Sequence, residues 1–514
     1  MTIISSSGSV QSVAPLSTPI TQLRAPDTAV SADTPASTVV RLSQGGADIG
    51  ASTYTQTGAV SDAISGLMNR NVGTRGLAGP FTDVAAAVLN RFRTDGGNLS
   101  LWVPAAQTVG ATDATTGTTS QASLRPDNTV SLRINTASGV KVEVALQSGP
   151  QGMAVQIEVA EGAELNEDER KAIAGLAGAF QDALDGLAED PPRWSLARLA
   201  NASSPLLSSI SMRDSRLVAG EVVQTIDFDA DSTQRTMTVS GLAGVVKVAL
   251  DLTKPVTLGS SEQQAAAVNK YLQQFDRAQR RGAGDETLTT TFKDMFSAMH
   301  GSYGSAQVPA ADGTTFRKPA AEAHRSLLSG LADFSASIEQ VRQATNPAQP
   351  KETDGFSYQT SQTSSVSGTP RWDLAVSQEQ QSTLTASFHR GLTPQTALKL
   401  TTDKESQTYL YYQIHDTTRS QTDVAYEEGV LRKATLNESR SQTTQVTMYV
   451  KGKLIDQTLT PITESNKRDL LPLVRAAKLE EDLNDPLIPR DQAEETLRQK
   501  FLDLARQAAS LRQD

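Results

Sequence analysis

The sequence predicts an α+β protein: antiparallel β-meanders covered by helices, followed by a second, mainly-β domain with C-terminal helices and preceded by a disordered N-terminus. Three observations carry this. Across residues 130–159 apolar and polar side chains alternate in three successive runs joined by short glycine turns, the pattern of antiparallel strands with one buried face. Residues 165–192 follow directly with apolar side chains at helical spacing, a natural cover for that face. Beyond residue 356 the chain becomes rich in Ser, Thr and Gln while keeping long alternating runs.

In the first meander Val130, Leu132 and Ile134 form one run, Val140, Val142, Val144 and Leu146 the next, and Met153, Val155, Ile157 and Val159 the third. In the helix that follows, Asn166 is suited to the N-cap, and Glu169 three positions on can close a capping box. Ile173, Leu176, Phe180, Leu184 and Leu187 make the stripe, and Pro191 and Pro192 stop it. Gly175 and Gly178 are expected to let the helix approach the sheet closely. A short helix is expected at 83–93 and a strand at 99–103. A second sheet-forming block spans 217–252, and helices follow Ser260 and run through Leu288, Phe292 and Met299. A further helix is expected at 319–343, with Leu327, Leu328, Leu331, Phe334, Ile338 and Val341 as its stripe.

The expected organisation is a Ser/Thr/Pro-rich disordered leader (1–57), an α+β domain (78–344), a linker (345–355, containing NPAQPKETDG), a β-rich domain (356–462) and a helical segment (463–514). That last segment divides into helices near 465–483 and 491–512, separated by Pro486 and Pro489.

Composition removes several functions. A formal net charge of −10 argues against binding nucleic acid by phosphate neutralisation. The absence of cysteine excludes disulfides, thiolate catalysis and iron–sulfur clusters. No apolar run is long enough for a transmembrane helix. GxGxxG between strand and helix, GxxxxGK[ST], GxSxG and HExxH are all missing, and no cofactor is expected.

The leader has no basic n-region and no continuous apolar core, so it is no cleavable secretory signal, and Arg24 is its first charged residue. In its serine-rich, weakly charged composition it resembles the uncleaved leaders used by type III and flagellar-type export, which would imply an exported protein. The plain alternative is a disordered tail on a cytoplasmic one.

Few residues are candidates for chemistry. Asp227, Asp229 and Asp231 alternate as in the opening of a calcium loop. Ser232 stands where that loop needs glycine and Thr238 where it needs glutamate, so a strand end with a polar turn is the expected reading. His300, His324, His389 and His415 show no metal-ligand spacing. In the final predicted helix Leu497, Phe501, Leu504, Ala508 and Leu511 make a narrow heptad-like seam, suited to an unknown protein partner or to self-association. The sequence thus points to a non-catalytic structural or interaction protein. The alternative is a hydrolase-like enzyme whose site is assembled only in space. A deep pocket holding a histidine or paired carboxylates with perturbed pKa would favour the enzyme, and flat sheets with no such pocket the interaction protein.

Overall fold

A computed structural model describes residues 63–474, apart from 75, 77–78, 106–125, 190–191, 196, 201–204, 302, 304–325, 369–372 and 394–397. Two helices open the described chain, α1 (Ala63–Asn71) and α2 (Val84–Asp95). Four strands follow: β1 (Leu99–Pro104), β2 (Asn128–Thr136), β3 (Lys141–Gly149) and β4 (Gly152–Val159). Next come α3 (Glu167–Ala174), α4 (Ala177–Ala188) and the short α5 (Ala197–Ala200). Strands β5 (Leu207–Val218), β6 (Glu221–Asp231), β7 (Gln234–Gly241) and β8 (Gly244–Asp251) lead to α6 (Ser261–Gly282) and α7 (Glu286–His300). The chain then runs through β9 (Asp333–Gln340), β10 (Gly355–Ser367), β11 (Ala375–Arg390), β12 (Tyr409–Glu427), β13 (Val430–Val450) and β14 (Lys453–Asp469).

All fourteen strands belong to one antiparallel sheet in the order β1-β4-β3-β2-β5-β6-β7-β8-β9-β10-β11-β12-β13-β14. Its register separates two chemistries. One row of directly opposed residues reads Ile157, Val144, Leu132, Met212, Phe228, Met237, Val248, Ala336 from β4 to β9. The same row continues as Thr360, Ser382, Thr418, Arg440, Glu464 from β10 to β14. The helices sit on the apolar half, where their inward side chains join those of the strands in one core. Over β8–β10 the core is aromatic: Phe292, Phe296, Phe334 and Tyr358 pack ring against ring around the adjoining pair Tyr271 and Phe275. At the end of α6, Gly282 and Gly284 lie so close to Phe356 that a Cβ on either would fall within 3 Å of its ring, and Arg281 forms a bidentate ion pair with buried Asp416 of β12.

Several expectations need correcting. Within the helix expected at 319–343, Asp333–Gln340 form strand β9. Phe334 and Ile338 are four apart, which suits a helix, but Phe334, Ala336 and Ile338 also alternate with Ser335, Ser337 and Glu339, and β8 and β10 supply backbone partners on both sides. The helix expected from 465 begins instead as the end of β14, which pairs with β13 as far as Asp469. The 166–188 helix has its full capping box between Asn166 and Glu169, but it divides at Gly175. Neither glycine meets the sheet: a Cβ on Gly175 would meet the Ala172 carbonyl and one on Gly178 the Arg198 guanidinium. Residues 345–355, expected as a linker, join β9 to β10, and these two strands are direct neighbours. The leader 1–57 and the final helix at 491–512 lie outside the described residues.

Candidate functional site

The unshared side of the sheet is mostly hydrophilic, with Trp102 near the β1 edge and Leu459 near the β14 edge as apolar exceptions. Its central row reads Gln156, Ala145, Ser131, Arg213, Asp227, Thr238, Lys247, Ser337, Gln359, Thr383, Thr417, Ser441, Thr463 from β4 to β14. Alternation explains this: most strands that send Val, Leu, Phe or Met to the helices send Ser, Thr, Gln or a charge the other way. Among the described residues no helix covers this face.

Two hollows indent it. The first, of about 550 Å³, crosses β7 to β11 and is lined by Thr238, Lys247, Ser337, Gln359, Ser361 and Gln381 among others. The second, of about 410 Å³, crosses β9 to β14 beneath the β9–β10 connection and includes Ser357, Thr385, Tyr411, Gln413, His415 and Thr443. His415 Nδ1 lies 3.2 Å from the Thr385 hydroxyl.

The β9–β10 connection is tied down at the end of this face by a polar knot. His389 of β11 lies between two carboxylates, its Nδ1 2.6 Å from Asp354 and its Nε2 3.1 Å from Glu352. The Tyr409 hydroxyl donates to Glu352 at 2.7 Å. Asn346, fully buried, exchanges amide hydrogen bonds with Gln407 at 2.9 Å and also donates to the Tyr409 oxygen. Burial, reinforced by the Glu352 carboxylate, pushes the Tyr409 phenol well above its usual range. The His389 side chain is only 1% exposed, so it fastens a strap and has no path to a substrate. Its carboxylates stand at opposite nitrogens of one ring and do not converge on a common point, and among the described residues no group of His, Asp and Glu is arranged to hold a metal.

The residues singled out from the sequence are dispersed. Asp227 pairs with Arg213 at 3.2 Å. Asp231 turns back to accept from the Thr233 and Gln234 backbone at 2.6 and 2.8 Å, closing the β6–β7 turn. Burial raises the Asp227 carboxyl, while the turn hydrogen bonds lower that of Asp231. The three aspartates follow the alternation of β6 and surround no common centre. His300 is sealed against Phe296 and Phe334, with Nδ1 2.7 Å from the Tyr303 hydroxyl, and burial pulls its imidazole down to about 3. His324 and the seam residues Leu497, Phe501, Leu504, Ala508 and Leu511 lie outside the described residues.

Sequence reasoning missed both the His389 knot and Asp214. Asp214 occupies an inward position of β5 between Val130 and Ile226, with no protein hydrogen-bond partner at either carboxylate oxygen, and burial pushes it up to about 7. Its signal was present: Ile210, Met212 and Asp214 share one parity. The knot had none, since its members come from 346–354, 389 and 407–409. Comparison with protein-family models, with curated proteins and with solved structures returns no match, so the geometry alone carries the functional reading.

Proposed function

We propose that this chain is a non-catalytic interaction protein and that the open face of its sheet is the working surface. One observation carries the reading: across β7 to β14 the open face is rich in hydroxyls and amides, and among the described residues no helix covers it. A sheet needs only one apolar face to fold. A second face this wide, indented and mostly neutral is surface available for contact. The hydrolase alternative has less support, because His300 and His389 are sealed and His415, the described histidine that reaches solvent, meets a threonine hydroxyl and not a carboxylate.

The absence of cysteine gives a direct test. Thr363→Cys places one thiol on the open face and Asn269→Cys one on the outer side of α6, both exposed. Each is coupled to a bulky maleimide polymer. The Thr363 label should abolish capture of the protein's binding partners and the Asn269 label should leave it intact. Equal capture by both would refute the reading.

A further inference from the structure

The sheet ends on two edges that differ in kind. At one, β1 is 6 residues long and closes at Pro104. At the other, β14 runs for 17 residues, all exposed except Arg468, and among the described residues no strand pairs with its outer side. A short edge is a poor template for another chain, whereas a long exposed one presents a row of backbone donors and acceptors.

The middle of β14 has the composition that pairs with its own kind. Residues 457–463, QTLTPIT, carry no charge and no glycine, and Leu459 and Ile462 are exposed on them. Asp456 and Glu464 bound the stretch on either side. A segment of this size, rich in Thr, Leu and Ile and without charge, self-associates through its edge unless a proline interrupts it. Pro461 is that interruption.

Backbone direction decides what Pro461 does there. Just past the strand, the Leu470 N–H donates to the Ala434 carbonyl of β13 at 2.7 Å. Backbone groups alternate sides along a strand, and the β13–β14 register is unbroken from Asp469 back to Asp456. The even-numbered residues of this stretch therefore face β13 and the odd-numbered ones face outward. The turn at the other end agrees. Val450 and Lys453 close a two-residue turn and so face each other. Counting back by twos, Met448, Val446 and Thr444 face β14, which leaves Thr443, the residue opposite Pro461, facing β12. Pro461 thus removes no bond from the β13 ladder. It withholds a donor from the outer side, and its ring stands in the path of an approaching carbonyl.

We propose that Pro461 closes the sheet against a second copy of this chain. The β14 edge is self-complementary. Two copies running antiparallel about a two-fold axis at Ile462 set Asp456 of each opposite Arg468 of the other, and Ile462 opposite its own counterpart. Pro461 then faces Thr463 of the second copy at both symmetry-related positions, beside the axis, where the missing donor and the ring spoil the centre of the pairing. The β1 edge of another copy is no substitute, since its 6 residues leave most of β14 unpaired.

The test uses the full chain, with mass followed by size-exclusion chromatography and light scattering as protein concentration rises. Pro461→Thr changes an exposed side chain and leaves the bonds to β13 in place, so the melt of the dilute protein should not fall. Its mass should double relative to the parent as concentration rises. Pro461→Thr combined with Thr463→Pro returns a proline to the outward row two residues further on, and should restore the mass of the parent. Equal mass for the parent and Pro461→Thr at every concentration overturns the proposal, as does a doubling that persists in the combined variant.

Discussion

Asp214 tests the two-faced sheet most directly. It stands in the apolar row Leu146, Val130, Asp214, Ile226, Val239, where every neighbour faces the helices, and it is 3% exposed. Burial raises its carboxyl from 3.8 to about 7, against weaker opposing pulls from the Ser215 backbone N–H and then from Arg216. The folded chain therefore holds this proton more tightly than the unfolded chain. The contribution to stability is fully present below the ordinary carboxylate range and is lost as pH rises towards about 7, levelling off beyond it. At about 1.4 kcal/mol for each unit, the loss approaches 4 kcal/mol at alkaline pH, and roughly 2–3 kcal/mol of it falls between about pH 5 and pH 8. Asp214→Asn keeps the shape and removes the charge. Urea unfolding of parent and variant at those two values should show the variant's advantage over the parent growing by that amount from the lower pH to the higher. Parallel pH profiles, or a variant less stable at the higher pH, would refute the inward placement of Asp214 without a partner.

Three further outcomes follow from the same geometry. His300 is neutral in the fold, so its contribution is present above the ordinary histidine range and is lost as pH falls towards about 3. His300→Phe should flatten the acid limb of stability, and an unchanged limb would place the ring in solvent. Gly282→Ala drives a methyl to 2.7 Å from the Phe356 ring and 3.0 Å from the Ala386 Cβ, and should destabilise by about 1–3 kcal/mol; a neutral result in thermal melts would mean that α6 does not press on β10 and β11. His389→Ala leaves the Glu352 and Asp354 carboxylates without their shared partner. Amide exchange should then speed up at 343–354 while the β5–β8 core stays protected, and uniform exchange across both would mean that the knot does not hold the strap.

How far the sequence could be read depended on what kind of information each element needed. The capping box of α3 is complete within four residues, and the alternation of Val130, Leu132 and Ile134 decides which side faces the core, so both were legible. Phe334 and Ile338 fit either period, and only the flanking strands make β9 a strand. Alternation assigns a face but no neighbour. For that reason one sheet crossing residues 345–355 could not be told from two domains with a linker. The proline, asparagine and aspartate of that stretch read as a linker because such residues favour turns, yet Asn346, Glu352 and Asp354 are there as hydrogen-bonding groups for His389, Gln407 and Tyr409.

The C-terminal strands pose a physical problem that the earlier ones do not. In β2 to β9 a one-residue slip would turn a whole apolar row out to solvent, so burial fixes the register. In β12 to β14 both faces are largely polar and β14 is exposed along its length, so burial can fix little. The register has to be set by local geometry. The β12–β13 turn places Glu428 and Gly429 at φ 51° and 74°, and the β13–β14 turn places Lys451 and Gly452 at φ 49° and 74°. Both are two-residue turns with two left-handed residues, which match the twist of a hairpin and fix the pairing from its closed end. Each pair also carries an irregularity near that end, at Ala425/Tyr426 and at Met448/Tyr449, which resists sliding. The Asn346–Gln407 amide pair then ties the loop before β12 to the strap, and the Tyr409–Glu352 bond ties β12 itself. Turns, bulges and the knot together do for the polar half of the sheet what apolar burial does for the other half, which lets both faces of β12 and β13 stay hydrophilic without losing their alignment.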